Sequence, residues 1–164
     1  MKSISHEHGK INSKIVSKQI ISTVFLTILT LLTMESQAQT FKTIENKDLK
    51  LEVYNASENS FGVASVIVSG KKDAVLIDTQ FTLADAEKVA QEIKKSGKKL
   101  TTIFVSHGDP DFYFGLEVFK KYFPEVTAYA TPATIEHIKA TAQKKLDVWG
   151  ERLGKNITSN VILP

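Results

Sequence analysis

Hydrophobic and polar positions alternate along the chain with two different periods. Segments 41–54 and 61–69 combine β-branched and aromatic residues with turn-forming neighbours, and this pattern predicts strands. Five apolar positions at helical spacing predict a helix over 83–96. Thr82 would cap the start of that helix and Gly97 would end it.

The rest of the chain alternates strand and helix. Further strands are predicted at 74–78, 100–106, 126–130 and 161–163, with helices over 111–122 and 132–153. The run AVLID at 74–78 is apolar enough to predict a strand that is buried on both faces. This order predicts an α/β (α+β) domain in which helices cover a mixed sheet.

The N-terminus has the organisation of a secretory signal peptide. Lysines precede an uncharged, largely apolar stretch over 20–34, and Ser36 and Ala38 place small residues where a signal peptidase reads them. A membrane span needs about 20 apolar residues, and this stretch is shorter and diluted by threonine. We expect residues 1–38 to be cleaved after Ala38. The mature protein would then be periplasmic or extracellular, without a stable membrane anchor.

Charge and cysteine content exclude several classes of function. The formal net charge is +3, and four lysines against two glutamates in residues 1–38 account for most of it. The chain has no stripe of basic residues interleaved with aromatics, the pattern that would predict nucleic-acid binding. The absence of cysteine excludes disulfides, thiol catalysis and cysteine-ligated zinc.

The residues best suited to catalysis or metal binding follow an apolar strand, in the sequence SHGDPDFYFG at 106–115. His107, Asp109 and Asp111 alternate along this turn and could point to one side. Imidazole and carboxylate groups suit zinc or another divalent metal, and α/β proteins commonly place reacting groups at the carboxyl end of a strand. The same stretch is also a good helix start, with Asp109 as N-cap and Pro110 at the first helical position. Composition leaves both interpretations open.

The stretch resembles the signature of the metallo-β-lactamase-fold hydrolases, T/S-H-x-H-x-D-H-x-x-G. His107, Asp111 and Gly115 match at the right spacing, and VLIDTQF at 75–81 is similar to a family strand that ends in aspartate. The resemblance implies an αββα sandwich of which this chain forms the front half, and it makes Asp78 the structural aspartate beside the site. It also implies a metal-dependent hydrolase with a small-molecule substrate and zinc.

Two positions depart from the family signature. Asp109 stands where the family has its second histidine, and Phe112 stands where it has its last one. Since Phe112 cannot ligate a metal, we expect one ion, held by His107 and Asp109. Asp111 would ligate the ion or, as the catalytic residue, take a proton from its water. The oxygen of Asp109 would favour iron or manganese over zinc.

The family's fold continues into a second half that supplies further ligands. We therefore expect residues 39–164 to be a domain that is incomplete at its C-terminus. His137 is predicted to be an ordinary helix residue and does not replace those ligands. Two functions stay open: an exported metal-dependent hydrolase with an altered, mononuclear site, or a non-catalytic binding protein or truncated remnant of the fold. The sequence leaves open the bond class, the activity of this chain alone and the oligomeric state.

Overall fold

A mixed sheet of six strands is the frame of the fold. The computed structural model describes residues 41–164. Its strands are β1 (Lys42–Glu45), β2 (Lys50–Asn55), β3 (Ala64–Ser69), β4 (Asp73–Ile77), β5 (Lys99–Phe104) and β6 (Thr127–Tyr129), and they lie in the sheet in chain order. Strands β1 to β4 pair antiparallel, whereas β4, β5 and β6 pair parallel. Parallel neighbours need long crossover connections, which the helices supply.

Among residues 41–164, four α-helices connect or follow these strands. They are α1 (Leu83–Ser96), α2 (Pro110–Tyr113), α3 (Leu116–Tyr122) and α4 (Pro132–Leu153). The predicted caps of α1 are confirmed, because Thr82 accepts a hydrogen bond from the backbone of Asp85 at 3.2 Å and Gly97 adopts a left-handed φ of 67°. The predicted start of α4 is also confirmed, with Thr131 accepting from the backbone of Thr134.

The two faces of the sheet differ in burial. Tyr54, Leu76 and Ile103 are fully buried on one face, and they belong to one core cluster with the apolar side of α1. The opposite face carries Val75 and Ile77, which are only half-buried. The prediction that 74–78 is buried on both faces is therefore wrong, since side chains along β4 point to opposite faces in turn and only one of those faces is covered completely.

Three predicted elements have different bounds or do not form. The strand expected at 41–54 is a hairpin, because the side chain of Asn46 accepts hydrogen bonds from two backbone N–H groups and closes a turn. The helix expected at 111–122 is two helices, α2 and α3, that meet at Phe114 and Gly115. The prediction of a strand at 161–163 is wrong: none of the strands in the described part of the chain pairs with this segment, and Val161 and Ile162 pack against the core.

The predicted signal peptide, residues 1–38, lies outside the described residues and stays a prediction. Within residues 41–164, no helix is both long and apolar enough to cross a membrane.

Candidate metal site

The sequence SHGDPDFYFG forms the connection from β5 to α2, at the end of the parallel part of the sheet. Val105, the residue before it, is fully buried, and its N–H donates to the carbonyl of Tyr129 at the end of β6. From Ser106 onward the chain rises to the surface, so that His107 and Asp109 are exposed. The turn therefore lies where the carboxyl ends of β4, β5 and β6 meet.

Asp78 fixes the start of this turn. It follows β4, is only 6% exposed, and accepts two hydrogen bonds from Ser106: one from the backbone N–H at 2.8 Å and one from the hydroxyl at 2.6 Å. Burial raises the pKa of Asp78, while the two hydrogen bonds oppose that rise. The predicted position of Asp78 beside the site is confirmed by these contacts.

The same chain of hydrogen bonds orients His107. The hydroxyl of Ser106 has a single hydrogen, which it donates to Asp78, and it lies 2.7 Å from Nδ1 of His107. The hydroxyl must then accept from Nδ1–H, which leaves the lone pair of the imidazole on Nε2. A buried carboxylate that acts through a hydroxyl thus fixes the tautomer of His107 and leaves the lone pair on Nε2 free.

A second clamp holds the other end of the turn. Thr79 donates from both its N–H and its hydroxyl to the carbonyl of Phe112, and Gly115 donates to the carbonyl of Gln80 at 3.0 Å. Asp78 and Gln80 have positive φ values of 60° and 78°, a conformation uncommon outside glycine. The segments VLIDTQF and SHGDPDFYFG therefore form one structural unit, held together by both main-chain and side-chain hydrogen bonds.

Asp109 occupies the N-cap position of α2 without acting as a cap. Its backbone is extended there, but its carboxylate accepts no hydrogen bond from α2. Instead, Oδ1 of Asp109 lies 2.9 Å from Nζ of Lys145, which extends from α4. The capping interpretation is therefore wrong for the side chain, although Pro110 does open the helix as predicted.

Asp111 lies in the first turn of α2 and is half-buried. Burial raises its pKa, and the negative charges of Asp109 and Asp78 raise it further. Its carboxylate forms no ion pair with any basic side chain among residues 41–164. Its carboxylate thus has no ion-pair partner among the described residues.

A cavity of about 420 Å³ opens beside the turn. Its walls combine aromatic rings with the charged groups of the turn: Phe61, Phe81, Asp109, Pro110, Asp111, Phe112, Lys145 and Trp149. The ring of Trp149 lies edge-on to those of Phe61 and Phe81, with centroids at 5.3 Å and 5.1 Å. Phe112 links this wall to the site, since its ring centroid is 4.6 Å from that of His107.

The turn carries side chains of the kinds that bind divalent metals, although these side chains do not converge on one point. Among residues 41–164, no three His, Asp or Glu side chains come close enough together to hold a metal ion. One of the predicted ligands, Asp109, already has a cationic partner, because its carboxylate forms an ion pair with the ammonium of Lys145. His107 and Asp111 add an imidazole nitrogen and a carboxylate without a basic partner. Imidazole nitrogen and carboxylate oxygen are both groups that divalent metals accept as ligands.

Two features of the site were missed in the sequence. Lys145 and Trp149 reach the turn from α4, more than 30 positions along the chain, and no local pattern predicts such a contact. A weak signal existed, since both lie one helical turn apart on a helix with few buried residues. Phe112 lines the cavity, whereas Tyr113 and Phe114 lie in the core.

The signature turn, its clamp and the mixed sheet identify the class of protein. The family model of the metallo-beta-lactamase superfamily matches residues 59–158, and this chain belongs to that superfamily. The comparison with curated proteins gave no significant match.

Solved structures agree with the fold. The DIM-1 metallo-beta-lactamase is 21% identical with a TM-score of 0.50, over 63% of this chain and 48% of that one. VMB-1 is 16% identical with a TM-score of 0.51, over 77% of this chain and 53% of that one. At these identities the likeness is one of fold. The chain spans about half the length of these relatives.

Proposed function

We propose that this chain belongs to an exported, metal-dependent hydrolase with an altered, mononuclear site. Membership of the superfamily supports hydrolysis as the class of reaction. The observation that carries the proposal is the chain of hydrogen bonds from Asp78 through Ser106 to His107, which leaves Nε2 of His107 ready to act as a ligand. The signal peptide predicted at residues 1–38 supports export.

His107 would bind the ion through Nε2, and Asp109 and Asp111 through carboxylate oxygens. A divalent ion at this place supplies Lewis acidity and lowers the pKa of a coordinated water. Zinc is the family's usual metal, and the carboxylate of Asp109 favours iron or manganese. Asp111, half-buried and without a cationic partner among the described residues, would be a further ligand or the group that accepts a proton from the attacking water.

The cavity beside the turn supports a small-molecule substrate with an apolar part. Its volume of about 420 Å³ is in the range of small-molecule sites. Phe61, Phe81 and Trp149 supply aromatic rings to its wall, beside the two carboxylates of the turn. The bond hydrolysed would be an ester, an amide or lactam, a thioester or a phosphoester, all of which are within the reach of a polarising metal and an activated water.

A non-catalytic binding protein of the same fold is the second candidate. Phe112 takes the place of a family ligand and packs on His107, and Lys145 occupies the carboxylate of Asp109. Both contacts support a site that keeps its cavity and has lost its chemistry.

One experiment separates the two functions. The purified chain would be stripped with chelator, reloaded with zinc, manganese or iron, and assayed on chromogenic substrates of the four bond classes. Metal-dependent turnover that the His107→Ala variant lacks would support the hydrolase. Trp149 is the chain's single tryptophan and lines the cavity. A fluorescence change on adding substrate, with no turnover under any metal, would support the binding protein.

Export has its own test. Expression in a bacterial host followed by mass spectrometry of the periplasmic fraction should give a mature N-terminus at Gln39. Retention of Met1 in the periplasmic fraction, or of the full chain in the cytoplasm, would contradict cleavage and export.

A further inference from the structure

Lys145 contacts three acceptors at the signature turn. Its Nζ lies 2.8 Å from the carbonyl oxygen of Gly108, 2.9 Å from Oδ1 of Asp109 and 3.2 Å from Nε2 of His137. An ammonium group has three hydrogens and no acceptor, so these contacts use its full donor capacity. The side chain is 19% exposed, much less than a typical surface lysine.

The helix and the turn are shaped for this contact. His137 and Lys145 are eight residues apart on α4, which places them on the same side of the helix two turns apart. Gly108 allows the close approach, because a Cβ at this position would lie 2.6 Å from Cδ2 of His137. Since the ammonium only donates, Nε2 of His137 must be the acceptor, so this imidazole carries its hydrogen on Nδ1.

The contact has the composition of a small cation site. A carboxylate oxygen, an imidazole nitrogen and a backbone carbonyl surround one positive charge, and each of the three is a group that divalent metals also accept as a ligand. The carboxylate of Asp109 could therefore bind either of two cations: the predicted metal on the His107 side or the ammonium of Lys145 on the α4 side.

We propose that Lys145 is an internal cation that competes with the metal for Asp109. While the ammonium holds Asp109, the metal has only His107 and Asp111 on the turn. When the ammonium leaves, the carboxylate of Asp109 and Nε2 of His137 both become available to an ion. This inference rests on the proposed function in taking Asp109 as a metal ligand, and it assigns to Lys145 and His137 a role that the family signature does not contain.

The test compares metal affinity among variants of the full chain. Isothermal titration with Mn²⁺ and with Zn²⁺ alone would be run on the parent, Lys145→Met, Lys145→Gln and Lys145→Arg. Lys144→Met is the matched control, since Lys144 is its exposed neighbour on α4. We expect roughly tenfold tighter binding in the Met and Gln variants, because a nearby unit charge of the same sign is removed. Arginine keeps the charge, and its variant should stay near the parent, as should the control.

Two further variants locate the effect. In an Asp109→Asn background, Lys145→Met should no longer tighten binding, since the shared carboxylate is gone. Adding His137→Ala to Lys145→Met should remove part of the gain. Circular dichroism on each variant checks that α4 is retained, and the Gln variant serves if Met does not fold.

The outcomes separate this inference from the proposed function. Equal affinities in the parent and in both neutral variants would overturn the role of Lys145 and leave the metal site standing. Weaker binding in the neutral variants would overturn it too, because the ammonium would then support the ion instead of competing with it. Absence of metal binding in every protein, including the neutral variants, would overturn both claims.

Discussion

The carboxylate of Asp78 accepts both the backbone N–H and the hydroxyl of Ser106, at 2.8 Å and 2.6 Å. This contact ties the end of β4 to the turn after β5, and it is the first step in orienting His107. The aspartate that the family resemblance makes structural thus acts, through the hydroxyl of Ser106, on the histidine that the resemblance makes a ligand. Outer groups that orient a ligand are part of a metal site's design.

Replacing Ser106 by alanine should weaken metal binding without unfolding the turn. The backbone N–H of Ser106 still donates to Asp78, but Nδ1 of His107 loses its acceptor and the imidazole its fixed tautomer. We expect about 10-fold to 100-fold weaker binding of Zn²⁺ or Mn²⁺ by titration calorimetry. Ser57→Ala is the control, because Ser57 is exposed and its side chain forms no cap. Parent-like affinity in Ser106→Ala would show that the hydroxyl does not orient His107 for the metal.

Gly115→Ala should destabilise the fold strongly. A Cβ at this position would lie 1.8 Å from the carbonyl oxygen of Thr79, which is backbone and cannot turn away. We expect a loss of about 3 kcal/mol or more in the free energy of unfolding, measured with urea. Gly150→Ala lies in α4 with nothing within 4 Å of the added Cβ. It should gain about 0.5–1 kcal/mol, since alanine favours a helix over glycine. Equal stabilities would contradict this packing.

Asp85 should carry a pH-dependent part of the stability. It is 5% exposed and accepts hydrogen bonds from the hydroxyls of Tyr54, Ser60 and Thr82. Burial raises its pKa, but these hydrogen bonds and the charge of Lys88 outweigh burial and bring it below the ordinary value of 3.8. The folded state therefore binds the proton less tightly than the unfolded state does. The stability it contributes is present above pH 3.8 and is lost as the pH falls through the lower, folded value.

The measurement is urea unfolding of the parent and Asp85→Asn between pH 7 and about pH 3, just below the unfolded pKa. At neutral pH the variant should lose about 3 kcal/mol, because buried hydroxyls lose a charged acceptor. That difference should shrink in the acid range. Asp48→Asn, at an exposed turn, should change the stability by less than about 0.5 kcal/mol. A difference that stays constant throughout the acid range would show that the charge of Asp85 does not matter.

Elements with local signals were predictable, and contacts between distant elements were not. Thr82 and Gly97 predict the two ends of α1, because an N-cap and a left-handed glycine both act within one turn of the helix. The hairpin at Asn46 went unpredicted although its turn chemistry is also local, since the flanking residues read as one continuous strand. The strand expected at 161–163 has suitable residues but no pairing partner in the sheet.

The candidate site divides in the same way. The family resemblance allowed the contact of Asp78 with the turn after β5 to be predicted, whereas the roles of His107, Asp109 and Asp111 stay predictions. The partner of Asp109 could not, because Lys145 reaches it only through the docking of α4 on the turn. Sequence alone made Asp109 a cap or a ligand, and the structure gives its carboxylate a third role as half of an ion pair.

Phe112→His should strengthen metal binding. The ring of Phe112 is 4.6 Å from that of His107, so an imidazole there would place a nitrogen donor beside the first ligand, as in the family signature. We expect at least roughly tenfold tighter binding of Zn²⁺, or a second bound ion, by titration and metal analysis. Phe61→His adds an imidazole to the same cavity away from His107 and should change little. If the two variants bind alike, Phe112 does not stand at a ligand position.

The most direct test of the proposed metal site is the metal content of the full chain. The parent, His107→Ala, Asp109→Ala and Asp111→Ala would be loaded with zinc, manganese and iron in turn, desalted, and analysed by mass spectrometry for metal per chain. We predict close to one ion per parent chain and a large loss in His107→Ala, with smaller losses in the two aspartate variants because each removes one of the carboxylates. A parent that retains no stoichiometric metal, or a His107→Ala variant that retains all of it, would contradict a metal site at this turn.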